Sequence, residues 1–159
     1  MSKWQIPYPQ EVKVAGYMDS DEPIYFQNMT MKQSEERLKE NDILILPIGS
    51  TECHGAHACY GEDTFLVTRM AEQVAKKTGC TVSQPIWFGS HPYHHMGMPG
   101  TIPINENTFC DYIAQVLAGF WNAGYRKIIL LNGHGQEYVI PTAIHQFARK
   151  YQVPAVMMN

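Results

Sequence analysis

The sequence has no Cys-x-x-Cys pair, no long apolar run and no excess of basic charge. Each absence removes a class of function. The four cysteines, Cys53, Cys59, Cys80 and Cys110, are scattered. They do not match the short-loop thiolate pairs of structural zinc sites, and they read as free thiols in a reducing compartment. No stretch approaches the ~18 apolar residues of a membrane span. The opening Met1-Ser2-Lys3-Trp4-Gln5-Ile6-Pro7 lacks the apolar core of a secretion signal. A cytoplasmic protein with no membrane partner is therefore expected. The 12 lysines and arginines are scattered among 15 acids, for a net charge of −3, so nucleic acid is not the expected partner. There is no internal repeat and no low-complexity tract.

What is present is a globular balance. With 45% hydrophobic and 17% charged residues over 159 positions, the chain suits one α/β domain with a substantial core. Residues 1–29 mix proline, tyrosine and charge without periodicity and read as an irregular lead-in. Thr30-Met31-Lys32-Gln33 fits a capping box and predicts a helix to about Glu40. The continuous apolar run Ile43-Leu44-Ile45-Leu46-Pro47-Ile48 predicts a strand buried on both faces. Further helices are expected over 64–78, from a capping box at Thr108 to about Gly124, and over 137–151. Further strands are expected over 81–87, 127–131 and 153–158. Strand and helix alternate three times and end on a strand. That pattern implies a three-layer α/β/α fold with a mainly parallel sheet. The last apolar strand has no helix after it, so burial against further protein is expected.

The chemistry-bearing residues cluster. In open parallel sheets, ligands bind beyond the carboxyl ends of the strands. Three segments leave such ends, 49–63, 88–106 and 132–136. They hold six of the seven histidines: His54, His57, His91, His94, His95 and His134. In the first segment Glu52 and His54 stand at i and i+2. In extended backbone both side chains point the same way, ~6.5 Å apart along the chain, which suits two ions ~3.5–4 Å apart. Asp63 closes the segment, and a carboxylate can bridge two ions. Oxygen donors combined with imidazole favour zinc, manganese or a similar divalent ion. Alone, Glu52 or Asp63 reads as a helix cap or a solvated acid. Joined to the glycine-flanked turn Asn132-Gly133-His134-Gly135, the ligand reading prevails, the glycines allowing φ > 0 and close approach to a ligand.

These segments resemble the creatininase (creatinine amidohydrolase) family. Leu46-Pro47-Ile48-Gly49-Ser50-Thr51-Glu52-Cys53-His54-Gly55-Ala56-His57 is similar to the family's P-x-G-S-x-E-x-H-G-P-H signature. His95-Met96-Gly97-Met98-Pro99-Gly100-Thr101 resembles its H-x-G-x-P-G-T segment, and Asn132-Gly133-His134-Gly135 its N-G-H-G turn. Order and spacing agree from about Met29 to the C-terminus. The resemblance implies a single creatininase-like domain over 1–159 that lacks the family's C-terminal part. It implies Glu52, His54, Asp63 and His134 as ligands of two divalent ions, zinc or manganese with iron as a further option, and Asp63 as the bridge. A further glutamate completes the family's site. In creatininase it lies two residues after the turn histidine, where this chain has Gln136; in other members it comes from a later segment that this chain lacks. Glu137, one residue after Gln136, is the candidate fifth ligand and a candidate catalytic carboxylate. His95 and His57 are candidate proton donors or substrate-binding groups. Ala56 and Ala58-Cys59 depart from the family's proline and Leu-Pro, so the pocket differs.

The expected activity is hydrolysis of a small cyclic substrate at a dinuclear centre, by default cleavage of a C–N bond in a cyclic amide. One alternative is ring opening of a cyclic ketone derived from an inositol or sugar, with a C–C bond broken. The other is an inactive metal-binding or assembly module. The resemblance also implies a homo-oligomer, with a hexamer as the precedent.

Overall fold

The computed structural model describes residues 23–153. The expected strand over 153–158 and most of the irregular lead-in lie outside the described residues. The described elements are α1 (Met31–Glu40), β1 (Ile43–Ile48), α2 (Glu62–Thr78), β2 (Thr81–Val82), α3 (Glu106–Asn122), β3 (Lys127–Asn132) and α4 (Ile140–Tyr151). Short 3-10 turns cover Phe26–Asn28 and Tyr93–Gly97.

The sheet is parallel, in the order β2-β1-β3. The apolar run at 43–48 becomes the central strand. Ile43 pairs with Lys127 and Ile48 with Asn132 on one side, while Leu44 pairs with Thr81 on the other. Alternation along β1 separates two cores. Leu44, Leu46 and Ile48 pack with Phe109, Ile113 and Leu117 of α3 and with Ile140, Ile144 and Phe147 of α4. Ile45 packs on the opposite face with Val82 and with Ala71 and Ala75 of α2. Helices therefore cover both faces, as the three-layer expectation requires. Phe109 and Ile113 are fully buried, and each such side chain contributes roughly 1.5–3 kcal/mol by leaving water. Among the described residues no helix is long and apolar enough to cross a membrane.

Helix ends explain where reading and structure agree. The Thr30–Gln33 capping box forms, and Gly79 in the left-handed region stops α2. Four boundaries differ. The helix expected over 64–78 begins at Glu62, which puts Asp63 in its first turn. The expected strand over 81–87 keeps only Thr81–Val82 and an isolated bridge between Ile86 and Ile48. Pro85 has no N–H to give the ladder. Pro47 lacks one too, but its carbonyl accepts Ile86 N–H at 2.9 Å, so its missing donor faces the side on which β2 has already ended. Next, α3 is capped by Asn105, whose side chain accepts from Asn107 N–H; it starts before the Thr108 box. Finally, α4 begins at Ile140, not near Glu137, with Pro141 in its first turn.

Candidate metal centre

Every residue of the centre comes from a segment leaving the carboxyl end of β1 or β3, from the start of α2, or from the His-rich segment 88–105. Two glycines allow these parts to touch. A Cβ on Gly49 would overlap Thr64 Oγ1 and lie 2.5 Å from Thr64 Cα. A Cβ on Gly133 would lie 2.8 Å from Val67 Cβ and 2.9 Å from Asp63 O. Close approach, rather than the positive φ expected of this turn, is what Gly133 supplies; positive φ occurs at Gly55, Gly79, Gly100 and Gly124. The β1 exit is then tied down by side chains. Thr64 Oγ1 donates to Ser50 O, Thr51 Oγ1 donates to Trp87 O, and Cys53 N–H donates to Thr101 Oγ1.

Within this frame Glu52, His54, Asp63 and His134 converge. His134 Nδ1 lies 3.0 Å from Glu52 Oε1 and 2.9 Å from Asp63 Oδ2. His54 Nε2 lies 3.3 Å from Asp63 Oδ1 and 3.7 Å from Glu52 Oε1. The two oxygens of Asp63 thus face two different histidines. His134 Nε2 is 3.2 Å from the carbonyl of Ser90. A carbonyl only accepts, so Nε2 carries the proton and Nδ1 faces the carboxylates.

The charges follow from this packing. Burial alone would push the Asp63 carboxyl up, but the contact and charge of His134, with His54 behind them, hold it below the ordinary carboxylate value. Burial alone would lower His134, yet Asp63 and Glu52 outweigh it and its pKa is raised. His91 is driven down to about 4 by burial, then by the neighbouring charges of His134 and His95.

Two sets of side chains have the spacing of metal ligands: Glu52, His91 and His134, and Glu52, His54 and Asp63. Their fit to cations shows in buried polar atoms with no hydrogen-bond partner that face the carboxylates or belong to them, among them Asp63 Oδ2, His91 Nδ1 and His95 Nδ1. Such atoms are costly unless something binds them. Imidazole with carboxylate oxygen suits zinc or manganese. All four cysteines are free, and none joins either set.

Of the remaining expected site residues, His95 borders the centre and His57 and Glu137 do not. His95, on the 3-10 turn, reaches the rim, with Nδ1 3.5 Å from Glu52 Oε2. His57 is exposed on a loop closed by Glu52 N–H donating to Tyr60 O, away from both sets. Glu137 is exposed in the turn before α4 and also stands outside both sets. Gln136 is fully buried, and its amide is committed: Oε1 accepts Ser90 N–H at 3.0 Å, and Nε2 donates to Gly49 O at 3.2 Å and Asn132 Oδ1 at 3.1 Å. Sequence reasoning did not single out His91 or Glu62. Glu62 Oε2 lies 3.6 Å from His54 Nε2 on a side chain 42% exposed. The only sequence signal for His91 was its membership of the histidine-rich segment.

A family model described as creatinine amidohydrolase matches residues 27–159. A 3-dehydro-scyllo-inosose hydrolase of Thermotoga maritima is 66% identical over 142 residues, covering 89% of this chain and 46% of the relative. A creatinine amidohydrolase of Pseudomonas putida is 28% identical over 116 residues, covering 70% and 45%. The chain thus spans about half the length of these curated relatives. Among solved structures, a manganese creatininase superposes with a TM-score of 0.77 at 25% identity, covering 84% of this chain and 55% of that one. A mutant creatininase of zinc–zinc type does so with a TM-score of 0.77 at 26% identity, covering 81% and 52%.

Proposed function

This chain belongs to the creatininase family, and from that premise we propose that it carries the metal centre of a hydrolase that opens a small carbocyclic ketone derived from an inositol. The observation that carries the hydrolase reading is the convergence of Glu52, His54, Asp63 and His134 beyond the sheet's carboxyl edge. The substrate class rests on 66% identity to an inosose hydrolase, against 28% to a creatinine amidohydrolase. The cyclic-amide default therefore becomes the second reading.

Two divalent ions bound here, zinc or manganese, would acidify water to a pKa near ~7 and polarise a carbonyl. Asp63, with one oxygen towards His54 and the other towards His134, would be the residue that holds both ions. His134 is held with Nδ1 inward by the Ser90 carbonyl. An inosose ring contains no heteroatom, so hydrolytic opening must break a C–C bond. With a second ketone on the ring, the electron pair of that bond passes onto a carbon flanked by the ketone and is held as an enolate. The attacked carbonyl carbon leaves as a carboxylate. A proton completes the new C–H bond, and His95 at the half-buried rim is the group positioned to deliver it. Glu137, exposed in its turn, has no part in this scheme.

The test is direct. The full chain, loaded with manganese or zinc, is given an inosose diketone or creatinine, and products are followed by NMR. Opening of the diketone to an acyclic keto acid is expected. Turnover of creatinine alone would replace the C–C reading with the C–N one. Turnover of neither by metal-loaded chain would leave a metal-binding module.

A further inference from the structure

Gln136 stands where the resemblance places a metal-binding carboxylate, yet its amide is spent on Ser90, Gly49 and Asn132. None of its polar atoms is free to turn inward. Among the described residues the centre is thus one donor short of the set the resemblance implies, and Glu137, exposed one residue later, stands outside both ligand-spaced sets.

A different side chain borders the centre. His91 is buried, its side chain 0% exposed. Its Nε2 lies 2.8 Å from the hydroxyl of Ser50, itself fully buried. Its other nitrogen, Nδ1, has no hydrogen-bond partner and lies 3.5 Å from Glu52 Oε2. The ring is 4.5 Å, centroid to centroid, from that of His134. His91, His134 and Glu52 form one of the two ligand-spaced sets. A neutral imidazole that donates Nε2–H to Ser50 presents a bare lone pair at Nδ1. His134 is oriented alike, its Nε2 held by the Ser90 carbonyl and its Nδ1 turned towards Glu52 and Asp63. An apolar pocket would leave such a lone pair at a cost of desolvation; a cation removes that cost.

We propose that His91 is a metal ligand through Nδ1, sharing an ion with Glu52 and His134, and that Ser50 is the positioning residue that fixes its tautomer. His91 then supplies a nitrogen donor in place of the carboxylate absent at Gln136. This rests on the metal-centre reading above and adds to it a ligand and the residue that orients it. Compared with an all-carboxylate alternative, a second imidazole lowers the net negative charge of the shell and favours zinc over magnesium or calcium.

The test uses cobalt as a spectroscopic divalent ion on the full chain, with competition against a chelator and X-ray absorption to count imidazoles. His91→Ala is expected to lose one imidazole per chain, about half an imidazole per ion in the average shell of a two-ion centre, and to weaken one of the bound ions at least tenfold. Ser50→Ala is expected to weaken the same ion about 10-fold or more, as loss of an orienting partner does. His145→Ala, in an exposed histidine of α4, is expected to change neither. His91→Cys guards against a merely structural effect, since a thiolate has nearly the reach of Nδ1. It is expected to gain a sulfur-to-cobalt charge-transfer band, which a residue pointing elsewhere cannot produce. Unchanged affinity and imidazole count in His91→Ala, with no such band in His91→Cys, would overturn this inference alone. Wild-type chain that binds no divalent ion would overturn it together with the metal-centre reading.

Discussion

Replacing Gln136 with leucine removes an amide that joins three segments of the centre without leaving a large hole. Ser90 N–H, Gly49 C=O and Asn132 Oδ1 each lose a partner. Ser90 and Gly49 are buried, so water cannot easily replace the amide there. A buried group left unpaired costs about 1–3 kcal/mol, and two of them together cost about 2–6 kcal/mol. That is a large part of the ~5–15 kcal/mol that holds a typical domain. With a urea slope of ~2 kcal/mol/M, the unfolding midpoint is expected to fall by about 1–3 M with the slope unchanged. Gln136→Glu is the sharper companion. An ionised carboxylate accepts from Ser90 but repels the Gly49 carbonyl, whereas a protonated one can donate to it. Its stability deficit should shrink as pH falls, a trend leucine does not share. A leucine variant within ~0.5 kcal/mol of wild type, the ordinary range of neutral substitutions, would refute the bracing role. So would a glutamate variant that binds metal more tightly at no cost to stability.

Other outcomes follow from the same geometry. Gly49→Ala drives a methyl into the backbone of Thr64; since backbone cannot swing aside, a loss of about 3 kcal/mol is expected in urea unfolding, and a neutral result would show that β1 and α2 do not meet so closely. The metal-free protein should be most stable near pH 6.5, the ordinary histidine value. Below it, the unfolded chain binds a proton that folded His91 refuses until about pH 4, so stability falls as pH falls through that window. Above it, the raised pKa of His134 means that stability is lost as pH rises through the folded value. Asp63, held low, adds stability that is present above 3.8 and lost as pH falls through its depressed value. Denaturation midpoints of chelator-treated protein across pH check this, and His91→Phe should flatten the acid limb; a profile flat from pH 4 to 8 would contradict it.

Much of this was legible in the sequence because local and tertiary demands coincide. The run at 43–48 is apolar on both faces, and it occupies the middle of the sheet. Glu52, His54, Asp63 and His134 were legible because the centre draws on strand exits, and strand exits are readable. Boundaries failed where two signals competed. Asn105 and Thr108 both cap well, and the first wins in the fold. A helix started near Glu137 would need an N–H at Pro141 to bond Glu137 O, and proline has none; Pro141 marks the first turn instead. His91 and His57 look alike in sequence, each a histidine in a glycine-bearing loop. Only the placement of residues 88–105 over the β1 exit buries one and leaves the other in water.

The most direct measurement is metal content by elemental analysis after loading and desalting, on wild type and on Asp63→Ala. A carboxylate whose two oxygens face His54 and His134 should hold both ions. About two ions per wild-type chain are expected, with both sites damaged by the single substitution. A wild type that takes up no divalent ion, or an Asp63→Ala variant that keeps two, would contradict the dinuclear centre.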